Sequence, residues 1–350
     1  MINFSTKILD WYHHAQRKLP WRAKDPIKPN PYHVWLSEIM LQQTTVATVI
    51  AYFLNFTQKW PDVNSLGNAS IDEILYAWQG LGYYSRAHNL HKTAQIIAMD
   101  YNGIFPNTEE LLLQLPGIGT YTSAAIRAIA FNQKSLVIDG NVERILARVF
   151  RLPFSPKDDM KQLRIVLETL SPKDKFGEFA QSMMDLGATI CTPKNPKCDI
   201  CPVSNFCESY KEQSQHLYPI QKIKIKRPQK FGFVFWVEND KGDIWIRKRE
   251  NRLLKGLMEI PSTSWEIENW KKEVAIANSP WPEHSWTNVI GQVKHVFTHF
   301  ELYLNIIKIK KSGLDLEDGF WCAQKDLKDH AFPTLMHKVI KHQFGALNNK

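Results

Sequence analysis

The chain has 350 residues, of which 44% are hydrophobic and 23% charged, which is enough for two or three domains with ordinary cores. No run approaches the roughly 18 apolar residues of a membrane-spanning helix, and the N-terminus, with Asp10, His13 and His14, lacks a signal-peptide core. The net charge of +9 lies mostly after residue 215 and favours a polyanionic partner without requiring one. We therefore expect a cytoplasmic protein with no membrane segment.

Apolar residues recur at helical spacing through the first 215 residues. Residues 31–60 predict a helix that breaks near 42–45. Further helices are predicted at 71–79, 85–100, 108–114, 120–131, 142–150, 160–170 and 176–188. Nothing in this region requires a sheet, so residues 1–215 are predicted to form a helical region.

The pattern changes after residue 215. A segment rich in Lys, with Arg227 and Pro228, indicates a linker over residues 216–230. Residues 231–237, 244–249 and 295–307 are rich in aromatic and β-branched side chains and predict strands, with a hairpin turn at 239–242. We expect a separate α+β domain over residues 231–350.

Four of the five cysteines lie within 17 residues, directly after a predicted helix. Cys191, Cys198, Cys201 and Cys207 have the spacing C-x6-C-x2-C-x5-C, which is unlike a secreted disulfide framework. Four converging thiolates indicate a metal centre. From spacing alone, zinc and a [4Fe–4S] cluster both fit, and four unligated cysteines are the remaining alternative.

The segment Leu-Pro-Gly-Ile-Gly-Thr at residues 115–120 lies between two predicted helices. Gly117 and Gly119 allow a sharp turn, and the helix that begins at Thr120 offers free amide donors to an anion. Such contacts hold a DNA backbone without reading its sequence. A dinucleotide-binding turn is the first alternative, although its third glycine and preceding strand are absent. A plain interhelical turn is the second.

Two acidic residues have positions that suit chemistry on a sugar. Glu38 lies in an apolar helical segment, where burial would raise its pKa and let it act as a general acid, although a paired or solvated Glu is the ordinary interpretation. Asp139 precedes a predicted helix that Asn141 can cap, so a capping loop is its ordinary interpretation. One protonated and one ionised carboxylate suit cleavage of a glycosidic bond.

These motifs together resemble MutY-type adenine DNA glycosylases of the helix-hairpin-helix and endonuclease III superfamily, over nearly the whole chain. The matching segments are residues 19–22, 37–44, 80–87, 115–122, 137–142, 181–188 and the cysteine loop. The resemblance implies a six-helix core at about 27–134 and a cluster-bearing subdomain built from 1–26 and 135–215. It also implies a [4Fe–4S] cluster and a C-terminal Nudix-like domain.

The resemblance also implies roles at the base to be removed. Glu38 would protonate adenine at N7, Asp139 would support positive charge on the sugar, and Asn141 and Tyr121 would assist. Endonuclease III-like relatives have a nucleophilic lysine where Tyr121 stands, and that amine leads on to strand cleavage, so a monofunctional enzyme is expected. The adenine pocket would include Trp21, Arg22 and Gln181.

Reaching a stacked base requires flipping it out of the duplex. Gln43 and Tyr83 match residues that occupy the opened duplex. The other expected DNA contacts are Arg86, Gly117, Gly119 and Thr120. Phe297, Thr298 and His299 resemble the Phe-Ser-His segment that checks for 8-oxoguanine, with Thr298 in place of Ser. Residues 256–273 lack the Arg-Glu-x-x-Glu-Glu core of Nudix hydrolases, so recognition without hydrolysis is expected.

The sequence thus predicts excision of adenine from duplex DNA in which it is mispaired with 8-oxoguanine or guanine. The protein is expected to be a monomer, associated with the nucleoid if the source is a bacterium. A bifunctional glycosylase/lyase acting on oxidised pyrimidines is one alternative. The other is a non-catalytic iron–sulfur DNA-binding protein, which would have the hairpin and the cysteines without needing Glu38 or Asp139.

Overall fold

The computed structural model describes residues 3–23, 27–153, 155, 159–220, 226–282, 284–310 and 318–347. Part of the predicted linker, residues 221–225, lies outside the described residues. The described residues divide into two compact units, one within Met1–Ala69 and Asn89–Ile223 and the other within Ser70–His88 and Lys224–Lys350. Residues 70–88, which the sequence predicts within the helical region, therefore group with the C-terminal unit. The domain boundaries given above remain a prediction.

Helices dominate the chain up to residue 211. In chain order they are α1 Phe4–Ala15, α2 Pro31–Leu41, α3 Val46–Lys59, α4 Val63–Asn68, α5 Ile71–Ala77, α6 Ser85–Asp100, α7 Glu109–Leu113, α8 Thr120–Phe131, α9 Gly140–Val149, α10 Met160–Leu170, α11 Phe176–Thr189 and α12 Glu208–Lys211. The predicted break near 42–45 is confirmed, because α2 ends at Leu41 and α3 begins at Val46.

Side-chain caps explain several of these helix starts. The Asn30 side chain accepts a hydrogen bond from the Tyr32 backbone N–H at the start of α2. Pro31, the first residue of the helix, has no N–H group that would need an acceptor. Ser70 and Glu73 form a capping box at α5. The start predicted for α9 is wrong by two residues, because Asp139 and not Asn141 is its N-cap.

The helices of the first unit hold the two candidate catalytic acids, Glu38 and Asp139, among packed helix faces. Helix α2 is buried along most of its length and packs against α3 and α8. Helix α11 packs against α1, α8 and α9. A core of Phe4, Ile8, Val142, Leu146, Leu163 and Leu186 joins α1, α9, α10 and α11. Helix α2, which carries Glu38, therefore packs directly against α8. Helix α9, which follows Asp139, packs against α11, and α11 in turn packs against α8.

The second unit contains a mixed sheet. Its strands are β1 Gln229–Glu238, β2 Ile244–Lys248, β3 Met258–Glu259, β4 Thr287–Val296, β5 Glu301–Lys310 and β6 Gly319–Cys322, accompanied by helices α13 Lys272–Ala277 and α14 Thr334–Leu347. The strand order is β3-β2-β1-β5-β4, with β6 paired to β2 and with β1 parallel to β5. The helix-hairpin-helix region with a C-terminal α+β domain, predicted from sequence, is confirmed.

One strand prediction is wrong. Residues 295–307 are not a single strand but the end of β4, a tight connection at 297–300 and the start of β5. Phe297 donates its backbone N–H to the Phe300 carbonyl oxygen at 2.8 Å, which closes the hairpin. Aromatic residues are common in strands, so Phe297 and Phe300 led the sequence pattern to predict a strand through this turn.

Within the described residues, no helix combines the length and apolar character needed to cross a membrane.

Candidate active site and cluster loop

Glu38 is a buried acid in the middle of α2. It is 6% exposed, and Trp35, Leu36, Ile39 and Met40 beside it are buried as well. Burial raises the pKa of Glu38 to about 7, and the negative charge of Asp139 adds to this rise, while the hydrogen bond from Tyr121 and the charge of Arg22 oppose it. A carboxyl group in these surroundings can hold a proton near neutral pH.

Tyr121 links α8 to this acid. Its hydroxyl donates to Glu38 Oε2 at 2.9 Å. Burial, followed by the charges of Glu38 and Asp139, raises the pKa of Tyr121 well above its usual value, so the hydroxyl remains a donor. Glu38, Tyr121 and Asp139, which the sequence separates widely, therefore act electrostatically on one another.

Asp139 has the opposite surroundings at the start of α9. Its Oδ1 accepts from the backbone N–H groups of Asn141 and Val142 at 2.9 and 2.8 Å, and its Oδ2 accepts from Asn141 Nδ2 at 2.8 Å. The carboxylate thus faces three N–H donors at the N-terminal end of α9. Asp139 is thus both the helix cap and a fixed carboxylate, and the two interpretations of its sequence position are compatible.

A cavity opens beside Glu38. The empty space in and above it amounts to about 410 Å³, open solvent at its mouth included. Its lining includes Trp21, Arg22, Glu38 and Gln181, the residues expected to contact adenine. Segments far apart in the sequence therefore meet at one cavity.

The hairpin at residues 115–119 connects α7 to α8. Ile118 donates its backbone N–H to the Leu115 carbonyl oxygen at 3.1 Å, and Gly117 has a φ of +79° with Asn89 so close that a Cβ would lie 2.9 Å from its side chain. Gly119 is the N-cap of α8 and provides no side-chain acceptor. The dinucleotide alternative is excluded because helices lie on both sides, and the amides at Thr120 can receive an anion.

Gln43 and Tyr83 both lie on turns with left-handed backbone. Gln43 has a φ of +60° and Tyr83 a φ of +47°, conformations that are uncommon for residues other than glycine. Tyr83 is 44% exposed and its ring lies 5.5 Å from the Arg86 guanidinium carbon. Arg86 itself is 7% exposed and donates to the carbonyl oxygens of Leu81 and Gly82, so its side chain braces this loop.

The connection between β4 and β5 presents Thr298 and His299 to solvent. Phe297 stacks on Trp265 with ring centroids 5.6 Å apart, which anchors the turn to the domain. The Thr298 hydroxyl lies 2.7 Å from the Tyr83 hydroxyl, within the same compact unit. The hydroxyl that replaces that of Ser is thus already engaged in a hydrogen bond with Tyr83.

The four clustered cysteines line one cavity between α9, α11 and the segment that follows α11. No cysteine forms a disulfide. Burial, and then the charges of the neighbouring thiols, raises the pKa of Cys198 and brings that of Cys201 to about 12. Cysteines bind a metal as thiolates, so these four would release their protons to solvent when a metal centre binds. In the described part of the chain, no three His, Cys, Asp or Glu side chains are placed to hold a single metal ion.

Two arginines of α9 serve the cysteine loop. Arg148 Nη1 donates to Cys191 Sγ at 3.3 Å and to the Thr192 carbonyl oxygen at 2.8 Å, which provides positive charge beside the thiols. Arg144 donates to the Cys191 carbonyl oxygen at 2.8 Å and to Asn141 Oδ1 at 2.9 Å. The donor set and the neighbouring cations fit an anionic iron–sulfur cluster.

The sequence interpretation missed Arg144, Arg148, Arg17 and Asp185. Each has its important partner more than 40 residues away, so no local pattern identifies it. The available signal is a charged residue on an apolar helix face, as at Asp185 between Met184 and Leu186.

Three family profiles match the chain. The profile described as "HhH-GPD superfamily base excision DNA repair protein" matches residues 36–170, "Iron-sulfur binding domain of endonuclease III" matches 191–207, and "NUDIX domain" matches 233–342. Among solved structures, a thermostable thymine-DNA glycosylase is 30% identical with a TM-score of 0.54, covering 60% of this chain and 95% of its own. Endonuclease III in a DNA complex is 21% identical with a TM-score of 0.50, over 60% of this chain and 94% of its own, and shares the fold.

These matches define the class as a helix-hairpin-helix DNA glycosylase of base excision repair with an iron–sulfur cluster. The adenine DNA glycosylase of Buchnera aphidicola subsp. Baizongia pistaciae is 38% identical over 96% of this chain and 95% of its own. The adenine DNA glycosylase of Homo sapiens is 33% identical over 97% of this chain and 73% of its own. The chain belongs to the adenine DNA glycosylase family.

Proposed function

We propose that the protein hydrolyses the N-glycosidic bond of adenine mispaired with 8-oxoguanine or guanine in double-stranded DNA. The observation that carries the proposal is that two carboxyl groups with opposite surroundings, Glu38 and Asp139, interact electrostatically, and that Glu38 lines the cavity. Cleavage of a bond between a sugar and a purine needs an acid at the base and negative charge near the sugar.

Glu38 is the proposed acid that protonates adenine at N7. Its raised pKa lets it carry the proton near neutral pH, and its place in the lining of the cavity supports contact with a flipped base. Trp21, Arg22 and Gln181 form the remaining proposed contacts with adenine. Protonation weakens the bond to the sugar because the base then leaves as a neutral molecule.

Asp139 is the proposed partner of the sugar cation. Its three hydrogen bonds fix the carboxylate before the reaction begins, so no reorganisation is needed when positive charge develops. Asn141 holds the second oxygen of Asp139, and Tyr121 holds Glu38. Water then bonds to the sugar carbon that adenine has left, its proton passes to the now ionised Glu38, and an abasic site remains.

DNA contact is proposed at three places. The backbone amides at Gly117, Gly119 and Thr120 would bind phosphate, and Gln43 and Tyr83 would occupy the space opened by flipping. Phe297, Thr298 and His299 would contact 8-oxoguanine. The sequence predicts a contact between Arg86 and phosphate. The burial of Arg86 and its hydrogen bonds to two carbonyl oxygens instead support a role in positioning Tyr83.

The cysteine loop is proposed to hold a [4Fe–4S] cluster through Cys191, Cys198, Cys201 and Cys207. When bound, such a cluster provides a rigid, thiolate-ligated centre that organises the loop. The residues of this chain prepare the site, because Arg148 places positive charge beside the thiols. We further propose a monomer that acts on cytoplasmic DNA, in the nucleoid if the source is a bacterium.

The test is release of adenine from a defined duplex. An 8-oxoguanine:adenine duplex and a guanine:adenine duplex are incubated with excess protein, and free adenine and strand breaks are measured with and without hot alkali. We expect adenine to appear and breaks to require alkali. Breaks without alkali would support the bifunctional alternative, and absence of adenine would support a non-catalytic DNA-binding protein.

A further inference from the structure

Helix α11 carries a buried carboxylate to which the proposed reaction assigns no role. Asp185 has no exposed surface, and an unpaired carboxylate there would be strongly unfavourable. It lies four residues after Gln181, so the two side chains share one face of the helix. Its partners are Arg17 and Arg22, which lie in the loop between α1 and α2.

Asp185 accepts four hydrogen bonds from these arginines. Arg22 Nη1 donates to Oδ2 at 2.7 Å and Arg22 Nη2 donates to Oδ1 at 2.8 Å, the parallel arrangement that fixes a guanidinium in orientation. Arg17 donates its Nε to Oδ1 at 2.6 Å and its backbone N–H to Oδ2 at 2.9 Å. The loop before α2 is thereby tied to α11.

The position of Arg22 is fixed from a third side as well. Its Nη1 also donates to the Arg17 carbonyl oxygen at 3.1 Å, and its guanidinium carbon lies 5.7 Å from the centre of the Tyr12 ring. The Arg22 side chain is 8% exposed, whereas that of Arg17 is 25% exposed and reaches water. The charge of Arg22 is therefore the less screened of the two.

The arginines of this ion pair form part of the cavity wall that also contains Glu38. Arg17, Arg22, Gln181 and Glu38 all line the same cavity. The charged and titratable groups that act on Glu38 are Tyr121 from α8, Asp139 from the start of α9 and Arg22 from the loop before α2. The cation of Arg22 opposes protonation of Glu38, so its neutralisation by Asp185 matters for an acid.

We propose that Asp185 is a positioning residue for base excision, which fixes the Arg22 guanidinium in the pocket wall and offsets its charge. Glu38 then faces a paired arginine and not an isolated cation. The pocket wall is suited to a neutral purine, because the buried cation of Arg22 is already matched. This inference rests on the proposed function, since it takes Glu38 as the acid of that reaction.

The experiment is a single-turnover rate of adenine release, with excess holoenzyme, measured from pH 5 to pH 9. In Asp185→Asn we expect the rate at neutral pH to fall on the order of 10- to 100-fold, because Arg22 moves. The midpoint of the alkaline fall in rate should shift down by about one pH unit, because an unmatched cation favours ionised Glu38. Asp185→Glu, which keeps the charge, should restore that midpoint.

A matched control exists in the second unit. Glu259 is also buried between two arginines, Arg247 and Arg249. Glu259→Gln removes a buried carboxylate from a similar ion pair, so it should lower thermal stability comparably and leave the midpoint of the alkaline fall unchanged. The comparison separates a loss of stability from an effect on Glu38.

The outcomes are distinguishable. A folded Asp185→Asn protein with the wild-type rate and alkaline midpoint would overturn the inference and leave the proposed function intact. Failure of the wild-type protein to release adenine would overturn the proposed function itself. If Asp185→Asn does not fold, Arg22→Gln is the second test: loss of the cation should raise the alkaline midpoint, and an unchanged midpoint would contradict the charge offset.

Discussion

The surroundings of Glu38 in the middle of α2 differ from those of Asp139 at the start of α9 in almost every physical respect. Glu38 is enclosed by apolar side chains and receives a hydrogen bond from Tyr121. Asp139 receives three, two of them from backbone amides at a helix N-terminus. The same functional group is thus prepared to hold a proton in one place and a negative charge in the other.

The difference teaches that a carboxyl group can be stabilising or destabilising for the fold according to its neighbours. Burial of Glu38 makes its ionised form unfavourable, whereas Asp139 completes the hydrogen bonding of α9. Loss of either acid should therefore slow excision, whereas stability should rise when Glu38 is replaced by Gln and fall when the Asp139 cap is removed.

The largest expected effect is on the rate of Glu38→Gln. This exchange removes the proton donor and keeps the shape, so single-turnover adenine release should fall on the order of 10²- to 10⁴-fold. Affinity for an 8-oxoguanine:adenine duplex, measured by fluorescence anisotropy, should remain close to that of the wild type. Full excision by this variant would remove Glu38 from the role of acid.

The next largest effect separates the two roles of Asp139. Asp139→Asn keeps a good N-cap and loses the charge, so the excision rate should fall on the order of 10²- to 10³-fold with little change in thermal midpoint. Asp139→Ala should show a similar rate and a further loss of about 1 kcal/mol of stability. Equal stability of the Asn and Ala variants would contradict the capping role.

A third prediction concerns stability against pH. The pKa of Glu38 is about 7 in the folded protein and 4.5 as its ordinary value, so the folded state binds the extra proton between these values. Stability is therefore lost as pH rises from about 4.5 to 7, by up to about 3 kcal/mol. Urea midpoints of Glu38→Gln should match the wild type at pH 4 and exceed it at pH 8. A constant difference across this range would refute the pKa rise.

The smallest effect is expected for Tyr121→Phe. The Tyr121 hydroxyl stabilises ionised Glu38, so its loss should raise the pKa of Glu38 further. The alkaline midpoint of the excision rate should move up by about one pH unit or less, opposite in direction to Asp185→Asn. A downward shift would mean that Tyr121 acts on Glu38 in another way.

Much of the fold follows from local pattern. Helical spacing of apolar residues and the break before Thr45 predict α2 and α3, because both helices bury apolar side chains, α2 along most of its length. The connection at 297–300 was not predictable by the same reasoning, because Phe297 and Phe300 have strand-like character while their role is to pack a turn against Trp265.

The site was predictable where residue type and motif suffice, and not where partners are distant. Glu38 is conspicuous because a charge in an apolar helix segment needs a reason. Asp185 is a similar charge, yet its meaning depends on Arg17 and Arg22, more than 160 residues earlier. Arg86 illustrates the converse, since a basic residue in a DNA-binding motif donates to its own loop.

The double use of Asp139 has a consequence for inherited variation. Most exchanges at this position would remove the chemistry and also loosen the start of α9, so less of the protein would survive cellular quality control. Only the small polar residues that still cap a helix would yield a normally abundant yet inactive protein. Under the proposed function, such variants would be inactive at normal abundance, whereas the other variants would also lower the number of molecules in the cell.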